Sequence, residues 1–215
     1  MSEFYDIMKK DSLMLKFLLG SVYDTLPSPA NLCLWGKTAD PSCKLCGKPA
    51  NLQHVLSSCS IGLASGRYRW RHDKVLAVIV ENLEAARKDT KVHKTVQFIK
   101  FVSSGGGSRC RSDTGLFATA ADWQLSADLR GHIPIPQDVL CTTLRPDIVM
   151  WSASTKQLVM IELTVPWEER IEDAYERKKA KYQELVEESK DKGWKVWCLP
   201  VEVGCRGFPG QSLWR

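Results

Sequence analysis

Leu144-Arg-Pro-Asp-Ile-Val-Met-Trp151 and Leu158-Val-Met-Ile-Glu-Leu-Thr-Val165, with the charged stretch running on to Lys192, decide the fold. The apolar runs 146–151 and 157–165 are rich in Val, Ile, Leu and Met and are separated by Ser152-Ala-Ser-Thr155. That pattern predicts two buried strands joined by a hairpin turn. Each run carries one carboxylate, Asp147 and Glu162, and the two are equally far from a turn centre between Ser154 and Thr155. An antiparallel pairing then sets them opposite one another on one face, with Cβ atoms about 4.5–5.5 Å apart, where like charges repel. A shared cation removes that penalty.

The stretch 167–192 predicts a long helix. Its apolar residues Ile171, Ala174, Tyr175, Tyr182, Leu185 and Val186 recur at spacings that form one stripe. Lys178 falls in the middle of the stripe, so it should face the sheet while Arg177 and Lys179 face away. An ammonium on a buried stripe needs a partner or a task. Two carboxylates and a lysine converging in this way can hold a divalent ion, orient a water and offset charge on a phosphate. Glu168, Glu169, Lys179 and Lys181 read most simply as a solvated face with i, i+4 pairs, with Lys181 the best substitute for Lys178. Arg145 either binds a phosphate or edges the sheet.

Upstream, Cys43-Lys-Leu-Cys46, His54 and Cys59 supply three thiolates and an imidazole, the donor set of tetrahedral Zn²⁺. Four protein ligands leave no open coordination position, so the zinc would be structural. Gly47 permits the tight turn after the second cysteine. Gly66-Arg-Tyr-Arg-Trp-Arg-His-Asp-Lys74 follows, where Arg67, Arg69, Arg71, His72 and Lys74 interleave with Tyr68 and Trp70. Cations neutralise phosphates and rings stack on unpaired bases, so the segment fits a DNA or RNA backbone surface. The competing reading is a solvated helix start whose aromatics are core. Asp73 is a candidate cap for a helix through Val75, Leu76, Val78, Ile79, Leu83 and Ala86.

These residues resemble a known family. Arg145-Pro-Asp147, Glu162-Leu-Thr164 and Glu176-Arg-Lys-Lys-Ala-Lys-Tyr182 are similar to the restriction-like endonuclease at the C-terminus of site-specific non-LTR retrotransposons, a branch of the PD-(D/E)xK nucleases. The similarity extends over 116–208, includes the tail Leu199-Pro-Val-Glu-Val-Gly-Cys-Arg-Gly-Phe208, and continues upstream into the zinc knuckle. In the wider superfamily the lysine sits two residues after the second acid, where this chain has Thr164. The retrotransposon branch carries it on the following helix, which Lys178 matches. An Arg-His-Asp segment after the zinc ligands, here Arg71-His-Asp73, is also a feature of that branch. The resemblance implies hydrolysis of a DNA phosphodiester, with Mg²⁺ or Mn²⁺ held by Asp147 and Glu162 and with Lys178 orienting the water or stabilising developing charge. In retrotransposons the nick in target DNA primes reverse transcription. This chain has no polymerase region, so a stand-alone remnant or a part of a longer product is expected. The alternative is a zinc-stabilised nucleic-acid-binding module whose nuclease fold is silent, and behind it an adaptor using these surfaces for proteins.

The remaining chain is consistent with this division. The 215 residues are 44% hydrophobic, enough for one large or two small domains, and the net charge of +5 permits nucleic acid without demanding it. No apolar run approaches the roughly 20 residues of a membrane span, and no signal peptide is evident, so no membrane partner is expected. The chain should be intracellular, in the nucleus or in both cytoplasm and nucleus. Cys33, Cys110, Cys141, Cys198 and Cys205 should be free thiols, most of them buried. Residues 3–23 suggest two helical pieces, the second capped by Asp11 or Ser12 and ended before Leu26-Pro-Ser-Pro-Ala30. Lys91 to Val102 is a second basic and apolar segment, and Ser103-Ser-Gly-Gly-Gly-Ser-Arg-Cys-Arg-Ser112 has linker composition. The expected division is a helical region 1–102 containing the knuckle 43–59 and the basic segment 66–74, a linker 103–115, and a nuclease domain 116–215. The fold class is α/β, a restriction-endonuclease-like mixed sheet flanked by helices. Trp123 to Leu129 reads as a strand or a short helix, Gly193 as the end of the long helix, and Trp194 to Val203 as the last strand.

Overall fold

The computed structural model describes residues 12–93, 115–129, 139 and 142–214. The described residues form two compact units, each assembled from separate stretches. One draws on 12–73, 164–176 and 201–214, the other on 74–163 and 177–200. Most of the predicted linker 103–115, the cysteines Cys110 and Cys141, and the first predicted helical piece lie outside the described residues.

Strands β1 (Gln124–Ala127), β2 (Ile148–Ser152), β3 (Gln157–Thr164) and β4 (Lys195–Glu202) form one sheet in the order β1-β2-β3-β4. The first three make an antiparallel meander. Register in the β2–β3 hairpin runs Ile148↔Ile161 to Ser152↔Gln157, centred between Ser154 and Thr155 as the sequence predicts. The turn is fastened by Asp122, whose Oδ1 accepts the hydroxyls of Ser152 and Ser154 at 2.6 Å each and whose Oδ2 accepts the Ser154 amide at 2.9 Å. β4 runs parallel to β3: the Lys195 amide donates to the Lys156 carbonyl at 2.8 Å and the Val203 amide to the Thr164 carbonyl at 3.0 Å, so both strands ascend together. A parallel neighbour requires a crossover, and α1 (Ile171–Asp191), introduced by a 3₁₀ turn at Glu168–Arg170, supplies it. Seven of the eight β3 residues are buried, which is why its sequence is nearly continuous Val, Leu, Ile and Met rather than alternating.

The crossover helix obeys the predicted stripe. Ala174, Tyr182 and Leu185 are buried and Ile171, Tyr175, Lys178 and Val186 half-buried, while Arg177 and Lys179 are exposed. Tyr182 and Leu185 join Val139, Val149, Leu158 and Met160 in the hydrophobic core of the sheet unit. Gly193, at φ +82°, ends the helix in a Schellman motif. Its amide donates to the Lys190 carbonyl at 2.8 Å, and the Trp194 amide donates to the Ser189 carbonyl at 3.1 Å.

The N-terminal region carries α2 (Ser12–Val22), α3 (Pro29–Leu34), a π-turn at His54–Ser58, α4 (Ser60–Ala64) and α5 (Arg69–His93). The sequence reading marks no helix at α3, which begins inside the Leu26–Ala30 stretch taken to end the preceding helix. Its local signal is Ser28, whose hydroxyl caps the Asn31 amide at 3.2 Å, followed by Pro29 at the first helical position. A second correction concerns α5. It starts at Arg69, so Asp73 lies inside the helix rather than at its cap, with its carboxylate 3.1 Å from His72 Nδ1. The reason is Gly66 at φ +70°, which closes α4 through the Gly66 and Arg67 amides and lets a new helix begin almost at once. No described helix is long and apolar enough to cross a membrane.

Candidate functional site

Cys43, Cys46, His54 and Cys59 converge, with their ligand atoms all within 4.8 Å of one another. Cys43 Sγ and Cys59 Sγ are 3.8 Å apart, and Cys46 Sγ is 3.2 Å from His54 Nε2. Sulfurs on a tetrahedral zinc at about 2.3 Å lie about 3.8 Å apart, so the donor set and its spacing suit that ion. Local structure explains the convergence. Gly47, at φ +71°, turns the chain after Cys46, and its amide returns to the Cys43 carbonyl at 2.8 Å. The π-turn presents His54, whose amide is held by Asn51 Oδ1 at 2.8 Å. Cys59 caps α4, accepting the Gly62 amide on sulfur at 3.4 Å. The amides of Leu45 and then Cys46, directed at Cys43, bring its thiol down to about 6. At Cys46 the Lys48 amide pulls downward, but burial and the neighbouring Cys43 and Cys59 thiols outweigh it and leave the thiol raised. Crowded thiols of this kind are relieved by a cation that all of them share.

The basic segment after the knuckle divides in two. Tyr68 belongs to the knuckle: its hydroxyl donates to the Val55 carbonyl at 3.1 Å and receives the Cys59 amide at 3.3 Å. Arg71 packs 5.7 Å over the Tyr68 ring and donates to the Leu56 carbonyl at 3.0 Å, and His72 is half-buried beside Asp73. Arg67, Arg69, Trp70 and Lys74 are exposed, Trp70 at 69%. Helical spacing therefore spends part of the segment on holding the knuckle and leaves the rest on the surface.

At the end of the β2–β3 hairpin, Asp147 and Glu162 occupy the pair of positions next beyond Ile148↔Ile161. Asp147 Oδ2 accepts the Leu163 amide at 2.7 Å. Glu162 is 4% exposed and fully engaged. Lys178 Nζ donates to its Oε1 at 2.5 Å, Lys181 Nζ lies 3.5 Å from the same oxygen, and the Tyr182 hydroxyl donates to Oε2 at 2.8 Å. Burial, then the Glu162 charge, holds the Tyr182 hydroxyl well above its ordinary value, which keeps it a donor. Burial and then Glu162 also push the Cys198 thiol up to about 11. Arg145 is exposed, and its carbonyl oxygen is 3.2 Å from the Tyr182 hydroxyl. Thr164 brings no cation to the cluster. Of Lys178 and Lys181, the first is nearer to Glu162 and less exposed, 24% against 43%.

Tyr182 is the residue that sequence reasoning missed as a site member. Its place on the stripe announced a core ring, and nothing in spacing alone tells what its hydroxyl meets. Among the other cysteines, Cys33, Cys198 and Cys205 are free thiols, Cys205 buried and the others half-buried. No protein-family model matches the chain, and no curated protein sequence does.

Proposed function

We propose that the chain is a metal-dependent DNA endonuclease of the restriction-like PD-(D/E)xK kind, derived from a site-specific non-LTR retrotransposon, that nicks a phosphodiester of target DNA. The observation that carries this reading is the meeting of Asp147, Glu162 and Lys178: two acids at opposed register positions and a helix-borne ammonium on the second of them. Carboxylate oxygens are the hard donors that Mg²⁺ and Mn²⁺ prefer. An ion held by Asp147 and Glu162 would supply the Lewis acidity that makes water a nucleophile at neutral pH. The Leu163 amide fixes the Asp147 carboxylate, and the Tyr182 hydroxyl fixes that of Glu162 from the helix side. Lys178, still 24% exposed in its side chain, balances the buried Glu162 charge and can move its positive charge toward a phosphate oxygen. The zinc knuckle organises residues 43–59, and Arg67, Arg69, Trp70 and Lys74 offer cations and a ring to the DNA backbone, with Arg145 a further phosphate contact.

Incubation of supercoiled plasmid with the zinc-loaded chain tests this. Nicked circles should accumulate with Mg²⁺ or Mn²⁺ and not with EDTA. The second reading, a silent zinc-stabilised binding module, is favoured by the full engagement of both Glu162 oxygens with lysine and tyrosine. Salt-dependent DNA binding without nicking on duplex, branched or single-stranded substrates would select it.

A further inference from the structure

The proposed reaction uses one ammonium beside Glu162, and the structure places a second there. Glu162 Oε1 receives Lys178 Nζ at 2.5 Å and lies 3.5 Å from Lys181 Nζ, while the Tyr182 hydroxyl donates to Oε2 at 2.8 Å. A carboxylate offers about four acceptor sites, so most of those on Glu162 are taken, and Oε1 is covered by cations alone. Two ammoniums at one buried oxygen repel any further cation brought to it. A divalent ion therefore meets repulsion at the carboxylate that has to ligate it. The two lysines are not held alike. Lys178 makes the shorter bond and its side chain is 24% exposed, whereas that of Lys181 is 43% exposed. Lys181 Nζ also lies 3.0 Å from the Tyr182 hydroxyl and 4.6 Å from the centre of the Tyr182 ring, contacts that leave it at the rim of the cluster. Arg145 is exposed, and its carbonyl oxygen is 3.2 Å from the same hydroxyl, so a phosphate at this edge has two cations within side-chain reach.

The geometry points to Lys181 as the residue that couples DNA binding to metal binding. A backbone phosphate draws its ammonium off Glu162, which uncovers Oε1 for Mg²⁺ or Mn²⁺, so duplex and ion bind cooperatively and the chain without DNA holds the ion weakly. The inference rests on the nuclease reading above and adds to it an order of binding. Lys181 acts through Glu162 and is a positioning residue. Linkage makes the coupling reciprocal, so the ion tightens DNA binding by the same factor.

Mn²⁺ titration of the zinc-loaded full chain, with bound ion counted by loss of the free-ion EPR signal, tests the coupling with and without a short DNA duplex. The Asp147→Ala chain, titrated in parallel, subtracts ions bound elsewhere on protein or DNA. Asp147-dependent binding should be weak without duplex and tighten about tenfold with it. Lys181→Met should bind Mn²⁺ without duplex as tightly as the parent chain does with it, and duplex should then add little. Lys181→Arg, which keeps the charge, should behave as the parent, and so should Lys179→Met, one residue along the same helix. Far-UV circular dichroism checks that each variant is folded, and Lys181→Gln replaces Lys181→Met if the latter is not. Equal Asp147-dependent affinity in the parent and Lys181→Met chains without duplex overturns the coupling and leaves the nuclease reading standing. No Asp147-dependent Mn²⁺ in any chain, with or without duplex, overturns both.

Discussion

Glu162 concentrates the chemistry of the sheet unit. Its carboxylate is 4% exposed, and a charge so placed persists only with partners, here Lys178, the more distant Lys181 and the Tyr182 hydroxyl. Removing one partner leaves part of the charge uncompensated. Tyr182→Phe deletes a hydrogen bond to a charged group, typically about 1.5–3 kcal/mol. A lowered melting temperature with the ring still packed is therefore expected, readable by thermal denaturation against wild type. A melting temperature equal to wild type would mean that the two lysines, Lys178 and Lys181, satisfy Glu162 without the hydroxyl. The acids and the lysine were legible in the sequence because each stands out against an apolar neighbourhood. The hydroxyl was not, since a tyrosine on an apolar stripe looks the same whether its oxygen meets water or a buried carboxylate.

Helix α1 and hairpin β2–β3 were read almost in full, because their periods are local. The hairpin register follows from one turn centre, and the helix phase follows from six apolar residues. That phase makes a contrast. Lys179 is about 100° around the helix from Lys178 and is exposed. Lys179→Ala should retain nicking, Lys178→Ala should lose it, and Lys181→Ala, farther from Glu162, should fall between. Loss with Lys179→Ala and retention with Lys178→Ala would place the active ammonium on the other face. In α5 the reading was poorer, because Gly66 ends one helix and a second starts three residues later, where no cap residue announces it. The start at Arg69 sorts the arginines. Replacing exposed Arg67 and Arg69 by Ala should weaken DNA binding and flatten its salt dependence by roughly one unit of log–log slope per lost phosphate contact. Arg71→Ala, by removing a bond to the Leu56 carbonyl, should instead loosen the knuckle. An unchanged slope in an anisotropy titration of the double variant would remove Arg67 and Arg69 from the binding surface.

For the chain as a whole, the candidate zinc ligands and the cluster of Asp147, Glu162 and Lys178 belong to different compact units, since 43–59 fall in one and those three residues in the other. Chelation of zinc should therefore be felt first around the knuckle. Amides of 43–66 are expected to lose hydrogen-exchange protection while those of β2 and β3 keep theirs, because the metal's binding free energy is local folding free energy. Equal loss in both would show that the sheet unit depends on the metal too. The assembly of the first unit from separate stretches was beyond sequence patterns. Residues 164–176 and 201–214 join the N-terminal stretch by contacts between distant segments, such as the Arg206 guanidinium donating to the Ser21 carbonyl at 3.2 Å, which no period encodes. The measurement that bears most directly on the central claim compares wild type with Asp147→Ala in Mg²⁺-dependent plasmid nicking, with DNA affinity measured on the same preparations. Abolished nicking with DNA binding equal to or tighter than wild type is predicted, because a metal ligand and a phosphate-repelling carboxylate leave together. Nicking by Asp147→Ala at the wild-type rate would contradict the assignment of the site.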